Sequence, residues 1–206
     1  MLAIAVSEPT NGIAAGAQQP DDGTLVRSAR RGELAAFEEL VRRYQRQATA
    51  IAYRLLNDRD DAMEVTQESF LNAFDRLGSL SDPGRFGPWL LRIVSNLSLN
   101  RRRARALRKT VSLDALGADD ERGEMNRPDP HAVTPFQTVV AEEAKGLIAR
   151  AIDELPDMQR QALVLFSIQN LPQKQVAEIL GCSVEAVKWH VFTARKKLKD
   201  KLKDYL

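Results

Sequence analysis

The sequence has a single cysteine, Cys182, so no internal disulfide framework is open to it, and a lone thiol suits a reducing cytoplasm. Its two histidines, His131 and His190, lie far apart, and with one cysteine they form no metal-ligand spacing. Aromatic residues are 6% of the chain, and no stretch approaches the ~18 consecutive apolar residues of a membrane-spanning helix. Membrane insertion is not expected. The apolar start, Met1 to Val6, has no basic flank, since the first basic residue is Arg27, which argues against a secretory signal. No phosphate-binding glycine loop, nucleophile–base set or metal cluster is visible, so neither an enzyme nor a cofactor is expected. What remains is a chain of 206 residues, 44% hydrophobic and 28% charged, an ordinary globular balance. The net charge of +2 decides nothing; its distribution does.

Residues 1–23 are rich in Ala, Gly, Gln and Pro without periodicity and read as a mobile tail. From Phe37 a helical pattern sets in: Phe37, Leu40, Val41, Tyr44, Ala48, Ile51, Ala52 and Leu55 recur on one face. Asp58 or Asp60 then caps a second helix, whose Met63, Phe70, Phe74 and Leu77 share a face and which Gly78 ends. Pro88 suits the first turn of a third helix running to about Leu107. Between about Arg108 and Thr134, glycines and prolines and the acidic cluster Asp119, Asp120 and Glu121 give a linker composition. Helices return at about 138–154, 157–169, 172–180 and 184–203, cut by Pro156, Pro172 and Gly181. The expected fold is all-α: a tail over 1–23, a helical domain over 24–107, a flexible linker over 108–137, and a second helical domain over 138–206. Each domain is small and should be only modestly stable alone.

The most specific local pattern is a short helix opening at Pro172, a stop at Gly181, and Ser183 as N-cap of the next helix. That is helix-turn-helix grammar, in which the second helix enters the major groove of DNA. Val184, Val187, Val191, Ala194 and Leu198 form its apolar stripe, leaving Glu185, Lys188, Trp189, Phe192 and Lys196 on the other side. Lys188 and Lys196 suit phosphates or guanine edges, and Trp189 or Phe192 suits thymine methyls. Arg195, Lys197, Lys199, Lys201 and Lys203 extend the positive charge. His190 falls on the flank, and Cys182 reads as a small filler of the turn.

In the third helix Leu90, Ile93, Val94 and Leu97 face inward, while Arg92, Asn96, Leu99 and Arg103 cluster outward. From Arg92 to Thr110 there is no acidic residue, and Arg101, Arg102, Arg103 and Arg105 follow one another closely, the footprint of a polyanion-binding face. The second helix presents the reverse, with Asp61, Glu64, Glu68 and Asp75 outward. An acidic face separated from a basic helix suits a protein held by a basic partner while its other face meets nucleic acid.

Three segments, in order, resemble bacterial extracytoplasmic-function (ECF) sigma factors. Residues 60–70 resemble the family's second conserved-region helix, residues 86–96 its promoter-melting helix, and Glu154 to Arg160 with the helix-turn-helix its fourth region. The resemblance spans about Glu33 to Leu202. It implies a dissociable specificity subunit of RNA polymerase, monomeric when free and cytoplasmic. Asp61, Glu64, Gln67 and Glu68 would dock on the clamp helices of the core enzyme, with the flap as a further contact. Arg92, Asn96, Arg101, Arg102 and Arg103 would hold and capture the opened −10 element. Lys188, Trp189, Phe192, Thr193, Arg195 and Lys196 would face the −35 duplex. An anti-sigma factor is a common further partner of this family. Trp189 and His190 stand where relatives more often carry a small polar residue and arginine, so the −35 sequence is not carried over. The competing reading is a free-standing helix-turn-helix regulator, which would bind duplex DNA unaided as a symmetric dimer. The resemblance threads the linker through the polymerase, its acidic cluster mimicking nucleic acid. Neutralising Asp119, Asp120 and Glu121 should therefore change the ratio of abortive to full-length transcripts, and an unchanged product profile refutes that role.

Overall fold

The computed structural model describes residues 19–113 and 146–203. Most of the expected tail and of the linker, with its acidic cluster, lies outside the described residues. No strand occurs among the described residues, and no helix there is long and apolar enough to cross a membrane.

Among the described residues the first unit has four α-helices. Helix α1 (Asp22–Arg30) was not legible as a helix; it is capped by Asp21, whose side chain accepts from the Thr24 amide, so the ordered unit begins inside the expected tail. Helix α2 (Leu34–Leu56) buries Phe37, Leu40, Ala48, Ile51, Ala52 and Leu55 as expected, and Asn57 closes it in the left-handed region at φ 50°. Asp58, rather than Asp60, caps α3 (Arg59–Asp75) by accepting from the Asp61 amide. Its buried face differs from the expected one. Ala62, Val65, Ser69, Phe70 and Ala73 point inward, while Met63 is 48% and Phe74 42% exposed. Phe70 is thus buried as expected, while Met63 and Phe74 stand at the rim of that face. The helix stops at Asp75, before Gly78, which sits in the short turn Leu77–Ser79. Helix α4 (Phe86–Leu113) carries Pro88 in its first turn and runs past Leu107.

Among the described residues the second unit opens with helix α5 over residues 146–153. Helix α6 (Asp157–Leu163) passes into a single wide turn over Val164–Ile168, where the Gln169 amide bonds the Val164 carbonyl at 2.9 Å. Helices α7 (Gln173–Leu180) and α8 (Val184–Leu202) make the helix-turn-helix. Gly181 caps α7 in the left-handed region at φ 66°, and Ser183 caps α8 by accepting from the Ala186 amide.

The two units do not stand apart. One cluster of buried apolar side chains runs from Leu25 to Val191 through both of them, with α4 against α7 and α2 against the wide turn. Small domains thereby share a core that neither owns alone.

Helix α1 is fixed by charge and by one close approach. Asp22 accepts from the Tyr44 hydroxyl and from Arg43 at 3.0 Å. Burial, reinforced by that carboxylate, raises the Tyr44 pKa well above the usual phenol value. Gly87 passes directly over the ring: a Cβ there would sit 2.6 Å from the Tyr44 hydroxyl. Gly87→Ala should displace Tyr44 from Asp22 and lower stability by about 1–3 kcal/mol, outweighing the roughly 1 kcal/mol that alanine gains as a helix former. A urea unfolding midpoint that rises would contradict this contact.

Candidate nucleic-acid interface

Helix α4 organises the site. Leu90, Leu91 and Val94 are fully buried, which turns Arg92 and Asn96 out to solvent. Arg92 leans over the turn of the helix-turn-helix, its guanidinium 3.3 Å from where a Cβ on Gly181 would stand. Leu99, expected outward, is half-buried and lines the seam between the units with Leu55, Arg160 and Gln161. Its place on that seam explains an apolar residue on an otherwise charged face.

The arginine row at the end of α4 is not free. Arg101 Nη1 lies 3.0 Å from Asp61 and 2.7 Å from Glu64. The hydrogen bond to Glu64 is the main cause that raises the Arg101 pKa further. Arg105 reaches Asp58 at 3.3 Å and Asp61 at 3.6 Å. The acidic face of α3 and the basic helix are therefore joined, not separated as expected, because α4 crosses the N-terminal turn of α3. Arg102 and Arg103 turn to the other unit. Arg102 donates to the Asp153 carboxylate at 2.6 Å and to its carbonyl, and Arg103 donates to Asp157 at 3.1 Å. Arg85 closes the far end of the seam on Glu178 at 3.0 Å.

Beneath these pairs lies Arg160, 3% exposed. It donates to the carbonyls of Ile152 at 3.0 Å, Asp153 at 2.6 Å and Leu155 at 2.5 Å, finishing the C-terminal end of α5. Burial, with the charge of Arg102 as a lesser cause, pushes its pKa down to about 10.

On α8 the expected division holds. Val187, Val191 and Ala194 are buried, while Lys188, Arg195 and Lys196 are exposed, and Trp189 and Phe192 are 58% and 69% exposed. Thr193 is half-buried. Arg195 is held by Ser167 at 3.1 Å and lies 5.8 Å above the centre of the Phe166 ring. Both partners stand in the wide turn, which aims them at α8. His190 is half-buried beside the Trp189 ring, and Cys182 packs against the core, where burial raises its thiol pKa. Gln67 and Glu68 are exposed on α3 with Glu64, while Asp61 is half-buried. No cluster suited to a metal ion occurs among the described residues. Sequence reasoning missed Asp153, Asp157 and Glu178, whose partners lie 51 to 93 residues away, and Ser167 and Phe166, 28 or more from theirs.

The Sigma-70 region 2 model matches residues 40–108 and the Sigma-70 region 4 model residues 145–198. The chain is 30% identical to the RNA polymerase sigma-H factor of Pseudomonas aeruginosa over 188 residues, 91% of this chain and 97% of that protein. The chain belongs to the ECF sigma factor family. It is also 30% identical to the ECF RNA polymerase sigma-E factor of Haemophilus influenzae over 90% of this chain and 97% of that one. CnrH, solved in complex with the cytosolic domain of CnrY, is similar to this sigma factor with a TM-score of 0.64 and 26% identity over 89% of the chain and 97% of CnrH. RpoE of Bartonella quintana, solved with the anti-sigma factor NepR, shares the fold, with a TM-score of 0.60 and 22% identity over 81% of this chain and 96% of RpoE. The sigma factor is thus a DNA-binding transcription initiation factor. In this structure Arg102 and Arg103 of α4 are turned inward on carboxylates of the C-terminal unit. Replacing Asp153 and Asp157 by Ala should loosen the seam, giving a larger radius of gyration by small-angle scattering at unchanged helical content by circular dichroism. An unchanged radius would mean that apolar contact alone holds the units together.

Proposed function

We propose that this sigma factor directs promoter-specific initiation by gripping two promoter segments in different states. Helix α8 reads the −35 element as intact duplex, and α4 opens and captures the −10 element while core polymerase is docked on α3. The observation that carries the reading is the division of exposed groups between the two helices. Capped by Ser183, α8 offers Lys188, Trp189, Phe192, Thr193, Arg195 and Lys196 around one side opposite its buried stripe. A helix so placed fits the major groove and draws its affinity from phosphate and base-edge contacts. Helix α4 instead exposes Asn96 and Arg92 above a buried apolar face. Asn96 offers a donor and an acceptor to the edge of an unpaired base, and Arg92 with Arg101 to Arg103 supplies charge for the backbone. Capture of an unpaired base offsets the few kcal/mol lost in unstacking it.

Core polymerase, through its clamp helices and flap, is the partner proposed for Asp61, Glu64, Gln67 and Glu68. An anti-sigma polypeptide is the proposed inhibitor, and RpoE, with the same fold, is solved with one. Run-off transcription with core polymerase on genomic fragments tests the reading, since a free-standing regulator would not redirect initiation. Asn96→Ala should retain binding to core polymerase yet lose most open-complex formation, followed by permanganate reactivity of unpaired thymines. Normal melting by that variant would remove Asn96 from the capture site.

A further inference from the structure

We propose that Arg101 is an intramolecular competitor for the acidic face of α3, so that polymerase docking at Asp61 and Glu64 releases Arg101 to promoter DNA and the two events are coupled through one side chain. The inference rests on the docking and capture roles proposed above. One guanidinium nitrogen serves two carboxylates, at 3.0 Å and 2.7 Å. Arg101 and Asp61 are 27% and 21% exposed, so their attraction is only partly screened by water, whereas Glu64 at 61% remains open to an incoming cation. A basic surface that takes these carboxylates must displace Arg101, and a phosphate that takes Arg101 must leave them unpaired. Neither contact reaches full strength while the pair persists. Arg105, 3.6 Å from Asp61, remains as a counter-charge when Arg101 departs, which keeps the exchange from stranding a half-buried carboxylate. Linkage then works both ways: docking strengthens the DNA contact, and DNA strengthens docking, by the same factor. Arg102 and Arg103 take no part, because their carboxylates belong to the other unit.

The test is an equilibrium titration of the full chain with core polymerase, followed by promoter binding of each reconstituted holoenzyme. Arg101→Ala should bind core about 2- to 5-fold more tightly, the range set by a partly exposed ion pair, while its holoenzyme binds promoter DNA more weakly. A gain of affinity cannot arise from misfolding. Arg101→Lys, which keeps the charge, should bind core like the parent. In a chain carrying Asp61→Asn and Glu64→Gln, Arg101→Ala should bring no gain. If Arg101→Ala binds core equally or more weakly while the carboxylate variant is impaired, the coupling is wrong and the docking role stands. If the carboxylate variant binds core as tightly as the parent, the docking role falls and the coupling with it.

Discussion

Five arginines fall within the eight residues from Arg101 to Arg108, and the carboxylates that pair with four of them organise this molecule. Arg101 and Arg105 turn back to α3, while Arg102 and Arg103 turn across to α5 and α6. Individually such pairs are worth about 0–1 kcal/mol. Together they tie one helix to both halves of the chain, and they decide which half each arginine answers to. The apolar seam from Leu25 to Val191 supplies adhesion without direction. The ion pairs give it register.

The same pairs set the α4 arginines apart from the exposed groups of α8. The outward side of α8 is open while the units are closed, because α8 packs on α6 and α7. The arginine row of α4 is occupied. One exposed face thus stands open in a form whose arginine row is engaged by internal carboxylates.

Much of this was legible in the chain itself. The helix-turn-helix is written locally: Pro172, Gly181 and Ser183 act within a few residues, and the structure uses each as a boundary or cap. The stripes of α2 and α8 arise from helical periodicity, which needs no knowledge of neighbours. What escaped was set by distant partners. Met63 and Phe74 were assigned to one face with Phe70, but beside Phe70 the helix turns Ala62, Val65, Ser69 and Ala73 inward. Leu99 looked stranded because the surface that covers it belongs to the other unit. Helix α1 carries too few apolar residues to announce itself, and its place depends on Tyr44 and Arg43 of another helix. The arginine row was correctly seen as a basic face, but periodicity cannot say what a charge meets.

The wide turn at Val164–Ile168 has a further implication for how this chain tolerates change in length. The turn holds one residue more than regular winding would. Deleting a residue there would let the helix close into ordinary α geometry at almost no local expense, yet it would rotate α6 by about 100° relative to α7 and α8. Ser167 and Phe166 would swing off Arg195. An apparent irregularity in the backbone is therefore a spacer that sets the phase between two helices, and a deletion that repaired it would scramble the architecture on either side.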